Sequence, residues 1–477
     1  MRFPGFIGPS YTLRSVNVDC QRCINLYPER DEIGTGKEQE VAALLTTPGL
    51  NTLLTLATSP VRGLYTATTG DLYAVAWNKV YKISSSWVAT QIGTITSTTG
   101  HVSMADNTFD LVIVDGTAAG YHWTFASNTF AAITDPAFYG ADMVTFQDNY
   151  FIFNKPGTGQ FYISGLNAVT FSGLDFSTAD GFPDNIIGLI SNHRDLWLFN
   201  SQTIEVWFDS GGSGFPFQRI QGAFIEQGCG AKHSIAKNDN TVFWLGGNDK
   251  GLGIVYMAKG YQPQRISTHA VETAIQSYSN ISNAVAYCYQ AEGHSFYVLN
   301  FPSANTTWVF DSTTGMWHER VYTNQGQFER HRADNHAFAY GKHVVGDYQN
   351  GKVYELSTTV YSDDGSEITR QRVAPHLTGE LDRVFYQKFQ LDIETGVGLD
   401  GITQGTDPQV MLTFSDDGGH SWSNEKWVSF GKIGNRRMRS IWRRLGASRD
   451  RVFRVTITDP VKVVLMGAEI DVERAAS

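Results

Sequence analysis

The chain has 477 residues, of which 42% are hydrophobic, 13% aromatic and 18% charged, with a formal charge of −10. That length accommodates two or three domains, and the composition is that of a packed, β-leaning protein rather than a disordered one. The negative balance disfavours a general polyanion-binding role, and no run of about 18 apolar residues exists to make a membrane-spanning helix.

The opening, MRFPGFIGPSYTLRSV, lacks the uninterrupted apolar stretch of a signal peptide. Cys20, Cys23, Cys229 and Cys288 are too few and too scattered for a disulfide framework, so the expectation is folding in a reducing cytoplasm. Residues 1–60 read as an extended, irregular lead-in: QRCINLYPERDE, an acidic Gly-containing stretch, then TTPGL, with Pro28 and Pro48 breaking any helix.

Residues 61–360 are dominated by a recurring hairpin. Aromatic and β-branched runs meet a polar turn and a second such run in LYAVAWNKVYKIS (from Leu72), DLVIVDGTAAGYHW (from Asp110), NYFIFNKPGTGQFYISG (from Asn149) and DLWLFNSQTIEVWFDSG (from Asp195). Looser copies begin at Thr241, His294 and His343. The recurrence of about 40–55 residues is that of propeller blades. One hairpin cannot bury both its faces, whereas a ring of hairpins can. Period-two apolar positions such as Leu196, Leu198, Ile204, Val206 and Phe208 favour strands. HAVETAIQSYS, from His269, is the best short helical candidate.

Residues 361–380 read as a connector. Beyond it, in residues 381–477, five strand-like runs (FYQKFQLDIET, PQVMLTFSDDGGHSW, KWVSFGKI, RVFRVTITDP and VKVVLMGAEIDVE) suit a small β-sandwich. The predicted fold is therefore all-β: a six- or seven-bladed β-propeller followed by a small C-terminal β-sandwich-like domain.

Ser415, Asp417, Gly419 and Trp422 fit the Asp-box pattern S-x-D-x-G-x-[ST]-W. Its mechanics are those of a turn: the carboxylate accepts turn amides, Gly supplies positive φ and Trp packs beneath. A glycosidase signal is the rival reading. Cys20-x-x-Cys23 resembles half a zinc site, but without two further ligands at suitable spacing it reads as two free thiols. His331, His336 and His343, with His318 upstream, gather in sequence; strand alternation scatters them, and a pH-sensing contact is the alternative. Gly211-Gly212-Ser213-Gly214 opens no helix and reads as a blade-tip loop. Asp363-Asp364-Gly365 lacks the later Glu of a calcium loop and reads as a turn. No nucleophile elbow or phosphate-binding loop occurs, so no catalytic residue, cofactor or metal is assigned.

The one dense basic run, NRRMRSIWRRLGASRDR, carries Arg436, Arg437, Arg439, Arg443, Arg444, Arg449 and Arg451, with Trp442 and Leu445 among them. Arginine mixed with aromatics favours a protein interface, which makes Arg436, Arg437, Arg439, Trp442, Arg443 and Arg444 the interface candidates. A solvated loop and a DNA contact are the alternatives.

INLYPE followed by TTPGL, the segment PDNIIGLISNHRDLWLFNSQTIEVWF, and the tail RRLGASRDRVFRVTITDPVKVVLMGAEIDVE together resemble the packaged-DNA stabilisation (tail accessory or hub) proteins of short-tailed bacteriophages. Ile186, Ile187, Gly188, Arg194, Asp195, Thr203, Ile204 and Glu205 carry the best-marked part, and the match transfers only a strand-and-turn role to them. The resemblance implies a non-enzymatic virion tail protein that assembles in the host cytoplasm as a homo-hexameric ring. Such a ring sits below the portal and its adaptor, closes the channel with a tail needle, offers surfaces to tailspikes and helps retain packaged DNA by steric closure, with no membrane involved. An acidic lining of the conduit would let DNA slide rather than stick. The alternative class is a sialidase-like or glycan-binding propeller, motivated by the Asp box and by 11 Trp and 21 Tyr able to stack on sugars.

Overall fold

The computed structural model describes residues 1–31, 41–212, 214–238, 240–248, 251–378 and 382–474. The acidic stretch at 32–40, Ser213 in the Gly211–Gly214 loop and the end of the 361–380 connector thus lie outside the described residues.

Four antiparallel strands make each blade. Blade 1 runs from Val61–Thr66 to Ala89–Thr94, blade 2 from Ser103–Asp106 to Thr129–Ala132, and blade 3 from Val144–Gln147 to Phe171–Thr178. Blade 4 runs from Ile186–Asn192 to Phe217–Ile225, blade 5 from Ala236–Asn238 to Gln262–Arg265, and blade 6 from Val285–Ala291 to Met316–Asn324. Blade 7 contributes Ala333–Ala339, Lys342–Asp347 and Lys352–Ser357, and takes its outer strand from the front of the chain, Gly49–Thr55. The innermost strands of blades 7 and 1 then lie side by side, and the count is seven.

Each hairpin singled out in the sequence is the middle pair of a blade. These strands are packed on both faces by neighbouring blades, so their burial is continuous rather than alternating: Leu72–Ala76 is buried throughout, and so is Leu196–Asn200. Outer strands face solvent and are polar, as in Ala89–Thr94 and Gln262–Arg265. The short helix His269–Gln276 forms where expected, and the Thr268 side chain caps its start by accepting from the Val271 amide.

Ring closure requires a close approach. A Cβ at Gly49 would lie 2.4 Å from the Val360 carbonyl oxygen, so only glycine lets the last blade's borrowed strand pass beneath the outgoing chain. Asp363 then pairs in parallel with Leu50 on the far side of that strand.

The segment read as an irregular lead-in carries five strands among its described residues. Leu26–Arg30, Val41–Thr46, Val464–Arg474, Val384–Ile393 and Ser440–Arg443 form one sheet of a sandwich. Cys20–Ile24, Arg370–Val373, Asp450–Ile457, Gln409–Ser415 and Lys426–Ser429 form the other, which continues through Ile24↔Glu319 into blade 6. The connector is likewise part of this sheet through Arg370–Val373. Pro28 fits because Leu26–Arg30 is the end strand of its sheet, where a missing N–H is tolerated. The sandwich core mixes both ends of the chain: Phe3, Phe6 and Leu44 pack with Phe389, Phe453, Leu465 and Ile470. These N-terminal strands are short and contain charged residues (CQRCI, LYPER), so their alternation is weak, and Cys20–Ile24 meets Arg370–Val373 and Glu319 hundreds of residues away.

Asn25 pins the junction of propeller and sandwich. Buried and at φ 52°, it donates through Nδ2 to the Val321 and Thr369 carbonyls (3.0 and 2.9 Å) and accepts from the Val321 amide (2.9 Å). Replacing it leaves three buried backbone groups unpaired. Asn25→Ala should therefore lower unfolding stability by about 2–4 kcal/mol, measured by denaturant titration.

Candidate functional site: a guanidinium ridge on the sandwich

The basic run is partly strand. Ser440–Arg443 pairs with the long strand Val384–Ile393 in the register Lys388↔Arg443 and Phe389↔Trp442. Alternation sends Ser440 and Trp442 inward and Arg443 outward. Trp442, read from the sequence as an interface aromatic, is instead a core residue: it is 4% exposed, packs on Phe389 and donates from Nε1 to the Lys426 carbonyl (2.7 Å). Leu445 is also inside. So is Arg451, whose Nε and Nη2 grip Asp416 at 2.6 and 2.7 Å while its guanidinium lies over the Phe414 and Tyr386 rings.

The other arginines stay outside. Arg436, Arg437, Arg439, Arg443, Arg444 and Arg449 are exposed, and Arg439 donates to Gln390 (2.8 Å). Arg436, Arg437, Arg443, Arg444 and Arg449 have no ion-pair partner among the described residues. On the same outer face the strand Val464–Arg474 shows Glu469, Asp471 and Glu473 to solvent, in register with Gln390, Lys388 and Phe385. A basic edge thus lies two strands from an acidic stripe, about 10 Å at ordinary strand spacing. The sequence shows the arginines; the stripe emerges only when strand pairing aligns the alternating acids.

The Asp-box residues build a turn. Asp417 accepts from Ser415 Oγ (2.6 Å) and from the Ser421 amide (2.9 Å), and Ser415 Oγ accepts from the Gly419 amide (2.8 Å). These hydrogen bonds, from Ser415 first and then Ser421, hold the Asp417 carboxyl well below the usual range. Gly418 and Gly419 take positive φ (76° and 98°), and Trp422 stacks on the Arg454 guanidinium at 4.0 Å.

One arrangement escaped the sequence reading. Cys20 Sγ lies 3.7 Å from His376 Nε2, and His376 Nδ1 lies 2.8 Å from Asp450. This has the outline of a nucleophile–base–acid row. The Val16 carbonyl engages the same Nε2 at 2.9 Å, and burial, then the Asp19 charge, pushes the Cys20 thiol up to about 11. A thiol so disfavoured for ionisation, beside a ring whose two nitrogens both have acceptors, is a fastening rather than a nucleophile. Cys23 is buried in the sandwich core, apart from the cluster that holds Cys20, and no metal-holding group of three or more His, Cys, Asp or Glu occurs among the described residues.

The histidine group lies at the blade 6–blade 7 seam. His336 Nε2 meets His343 Nδ1 at 3.0 Å, and Tyr287 stacks on His336. Burial, then the His343 charge, pushes His336 down to about 3; burial, then Arg320 and Arg332, does the same to His331. Asp363 is buried in the ring closure, and Asp364 is paired with Lys352. At the propeller axis a cavity of about 400 Å³ is lined by His101, Asp115, Asp142, Lys232, His233 and Asp334, among others. Its charges are paired locally, Lys232 with Asp142 and Arg330 with Asp334 (2.6 Å).

The family comparison bears on both domains. The model described as "Bacteriophage P22 Gp10, beta-propeller" matches residues 20–361, and "Bacteriophage P22 Gp10, beta-sandwich" matches residues 369–473. The chain belongs to the bacteriophage P22 Gp10 family. It is accordingly a structural protein of the phage virion, of a family not known for enzymes. No curated protein matches the chain. Among solved structures it is similar to the WD40 β-propeller domain of Doa1, with 11% identity, 65% of this chain and 97% of that one covered, and a TM-score of 0.41. The computationally designed Ika8 protein gives 12% identity, 71% and 99% coverage, and a TM-score of 0.39.

Within this Gp10-type architecture, one pair of contacts ties the N-terminal strand Leu26–Arg30 to blade 6. His294 is 3% exposed; its Nδ1 meets Asp311 at 2.7 Å and its Nε2 meets Glu29 at 3.0 Å. Burial alone would lower its pKa, but hydrogen bonds and charge from Asp311 and Glu29 outweigh burial and raise it to about 9. The imidazolium form is thus favoured by folding. Its contribution is complete below the unfolded value near 6.5 and is lost as pH rises through about 9. Thermal melts should show stability falling across that window, and His294→Gln should flatten the decline.

Proposed function

We propose that this chain is the tail hub of its particle. Six copies form a ring beneath the portal and its adaptor, receive the tail needle and the tailspikes, and retain packaged DNA by closing the channel. The family match across both domains carries this reading. The mechanism is mechanical: a propeller closed on itself is rigid and leaves few free edges, and the sandwich supplies the gripping surface.

The guanidinium ridge supports the joint-making part. Five exposed arginines without an internal partner, beside the Glu469, Asp471 and Glu473 stripe, equip one copy to meet the opposite charges of the next. A joint that holds against pressurised DNA calls for broad contacts, more than about 2,000 Å² each. The formal charge of −10 fits subunits that repel one another until docked, and a conduit whose walls let DNA phosphates slide.

Particles assembled without the protein should package DNA and then lose it, and adding back purified protein should restore retention. If heads keep their genome without it, the retention role is wrong. The triple change Arg436→Glu, Arg437→Glu, Arg443→Glu touches only exposed, internally unpaired groups. It should leave the melting temperature nearly unchanged and reduce incorporation into particles by about tenfold or more, read by quantitative gel of purified virions.

A further inference from the structure

Arg320, Arg370, Arg372 and Arg451 are among the largest side chains that the fold buries completely. Three of them are well supplied with acceptors. Arg370 donates to Thr46 Oγ1 (2.6 Å) and to the Asp459, Tyr361 and Ile368 carbonyls. Arg372 donates to the carbonyls of Gly5, Phe6, Pro9 and Arg22 and to Gln21 Oε1. Arg451 holds Asp416 and the Leu445 carbonyl.

Arg320 differs. It stands on the outer strand of blade 6, facing blade 7, and its Nη2 donates to the Tyr289 hydroxyl. The Tyr289 and Phe296 rings lie 5.2 and 5.4 Å from the guanidinium carbon. Its Nε and Nη1 have no hydrogen-bond partner among the described residues. A fully buried cation with two idle N–H groups is among the costliest arrangements a fold can contain.

Of the nearby carboxylates only Asp363 keeps a buried oxygen, Oδ1, without a hydrogen-bond partner among the described residues; the others are committed elsewhere. Asp311 is held by His294 (2.7 Å), Asp347 by Arg332 (2.8 Å) and Tyr354 (2.7 Å), and Asp334 by Arg330 (2.6 Å). Glu319 points to the opposite face of the strand, where it binds Arg22 (3.0 Å). Asp363 is pushed up to about 7 by burial, against the opposing charges of Arg370 and Arg320, so near neutral pH it supplies only part of a charge.

Two other unpartnered groups at this seam can donate. His318, two residues earlier and therefore on the same strand face, has neither ring nitrogen paired; burial, then the Arg320 charge, keeps it neutral, with one N–H. The Tyr287 hydroxyl, buried on the inner strand of blade 6 within the field of Arg320, is unpaired as well. Two idle guanidinium N–H positions and two neutral donors, none of which meets an acceptor among the described residues, beside a carboxyl that is only partly ionised, are complementary to an anion.

We propose that the seam between blades 6 and 7 binds a compact monovalent anion of the halide class, held by Arg320 Nε and Nη1 with donors from His318 and Tyr287. The anion neutralises a buried guanidinium whose Nε and Nη1 meet no acceptor among the described residues, and so locks blade 6, which carries the sandwich, to blade 7, which closes the ring.

Bromide is the probe, with gluconate replacing it at constant ionic strength. The melting temperature of the full chain should rise by on the order of several degrees between ~1 and ~100 mM bromide. Crystals grown in bromide should show an anomalous peak within hydrogen-bond distance of Arg320 Nε or Nη1. Arg320→Met removes the charge and should abolish the bromide dependence. Tyr287→Phe keeps the fold and the charge, and should weaken the half-saturating bromide concentration several-fold. Equal bromide dependence in the wild type and Tyr287→Phe, or density for water alone beside Arg320, overturns the proposal.

Discussion

The borrowed strand Gly49–Thr55 is the constraint from which the rest of this structure follows. Blade 7 has three strands of its own, and without a fourth its outer edge would be open. Taking that strand from the front of the chain links residues about three hundred positions apart, a closure whose entropic cost grows only slowly with length. It also fixes where residues 1–31 and 41–46 lie. They emerge beside the outgoing connector and the C-terminal strands, where Phe3, Phe6 and Leu44 complete the sandwich core while Tyr27 and Leu45 pack against blades 6 and 7. The two domains are thus two consequences of one closure, and the Ile24↔Glu319 bridge makes their sheets continuous.

Buried arginines do the joining that regular sheet cannot. Around residues 5–24 and 359–376 the backbone leaves carbonyls without strand partners, and buried carbonyls need donors. Arg372 answers four of them, and Arg370 two together with the Asp459 carbonyl. Arg62 performs the same task within the propeller, donating to the carbonyls of Trp77, Ser97, Thr99 and Gly100. Guanidinium suits this work because its five N–H groups fan out in a plane and stay charged. The cost is desolvation, and burial pushes both Arg370 and Arg372 down to about 10. Outside, the chain uses the same residue type differently: Arg436, Arg437, Arg443, Arg444 and Arg449 are exposed and have no ion-pair partner among the described residues, the state in which a charge is available to another molecule.

The propeller was readable in the sequence through its middle strands alone. Strands such as Leu111–Val114 and Phe151–Asn154 are covered on both faces, so selection for burial leaves dense apolar runs at a steady spacing. Inner and outer strands carry a weaker pattern, which is why the hairpins left the number of blades at six or seven. The strand that settles it, GLNTLLT, is half-exposed and sits far from its partner. In the candidate site, Arg436, Arg437, Arg443 and Arg444 were visible as a basic cluster. Trp442 was misplaced because its inward direction depends on the register with Phe389, which a local pattern cannot supply.

Local chemistry therefore announced the all-β class, the repeated hairpin, the Asp417 turn, the short helix from His269 and the basic run, since each is written in neighbouring residues. Only the folded chain decided how the ends meet: seven blades, a sandwich built from both termini, Asn25 and His294 as fastenings, the acidic stripe beside the ridge, and Arg320 with two N–H positions unpartnered among the described residues. All of these depend on pairings between distant segments, and such pairings are selected by the total burial and hydrogen bonding of the whole molecule rather than by any stretch of it.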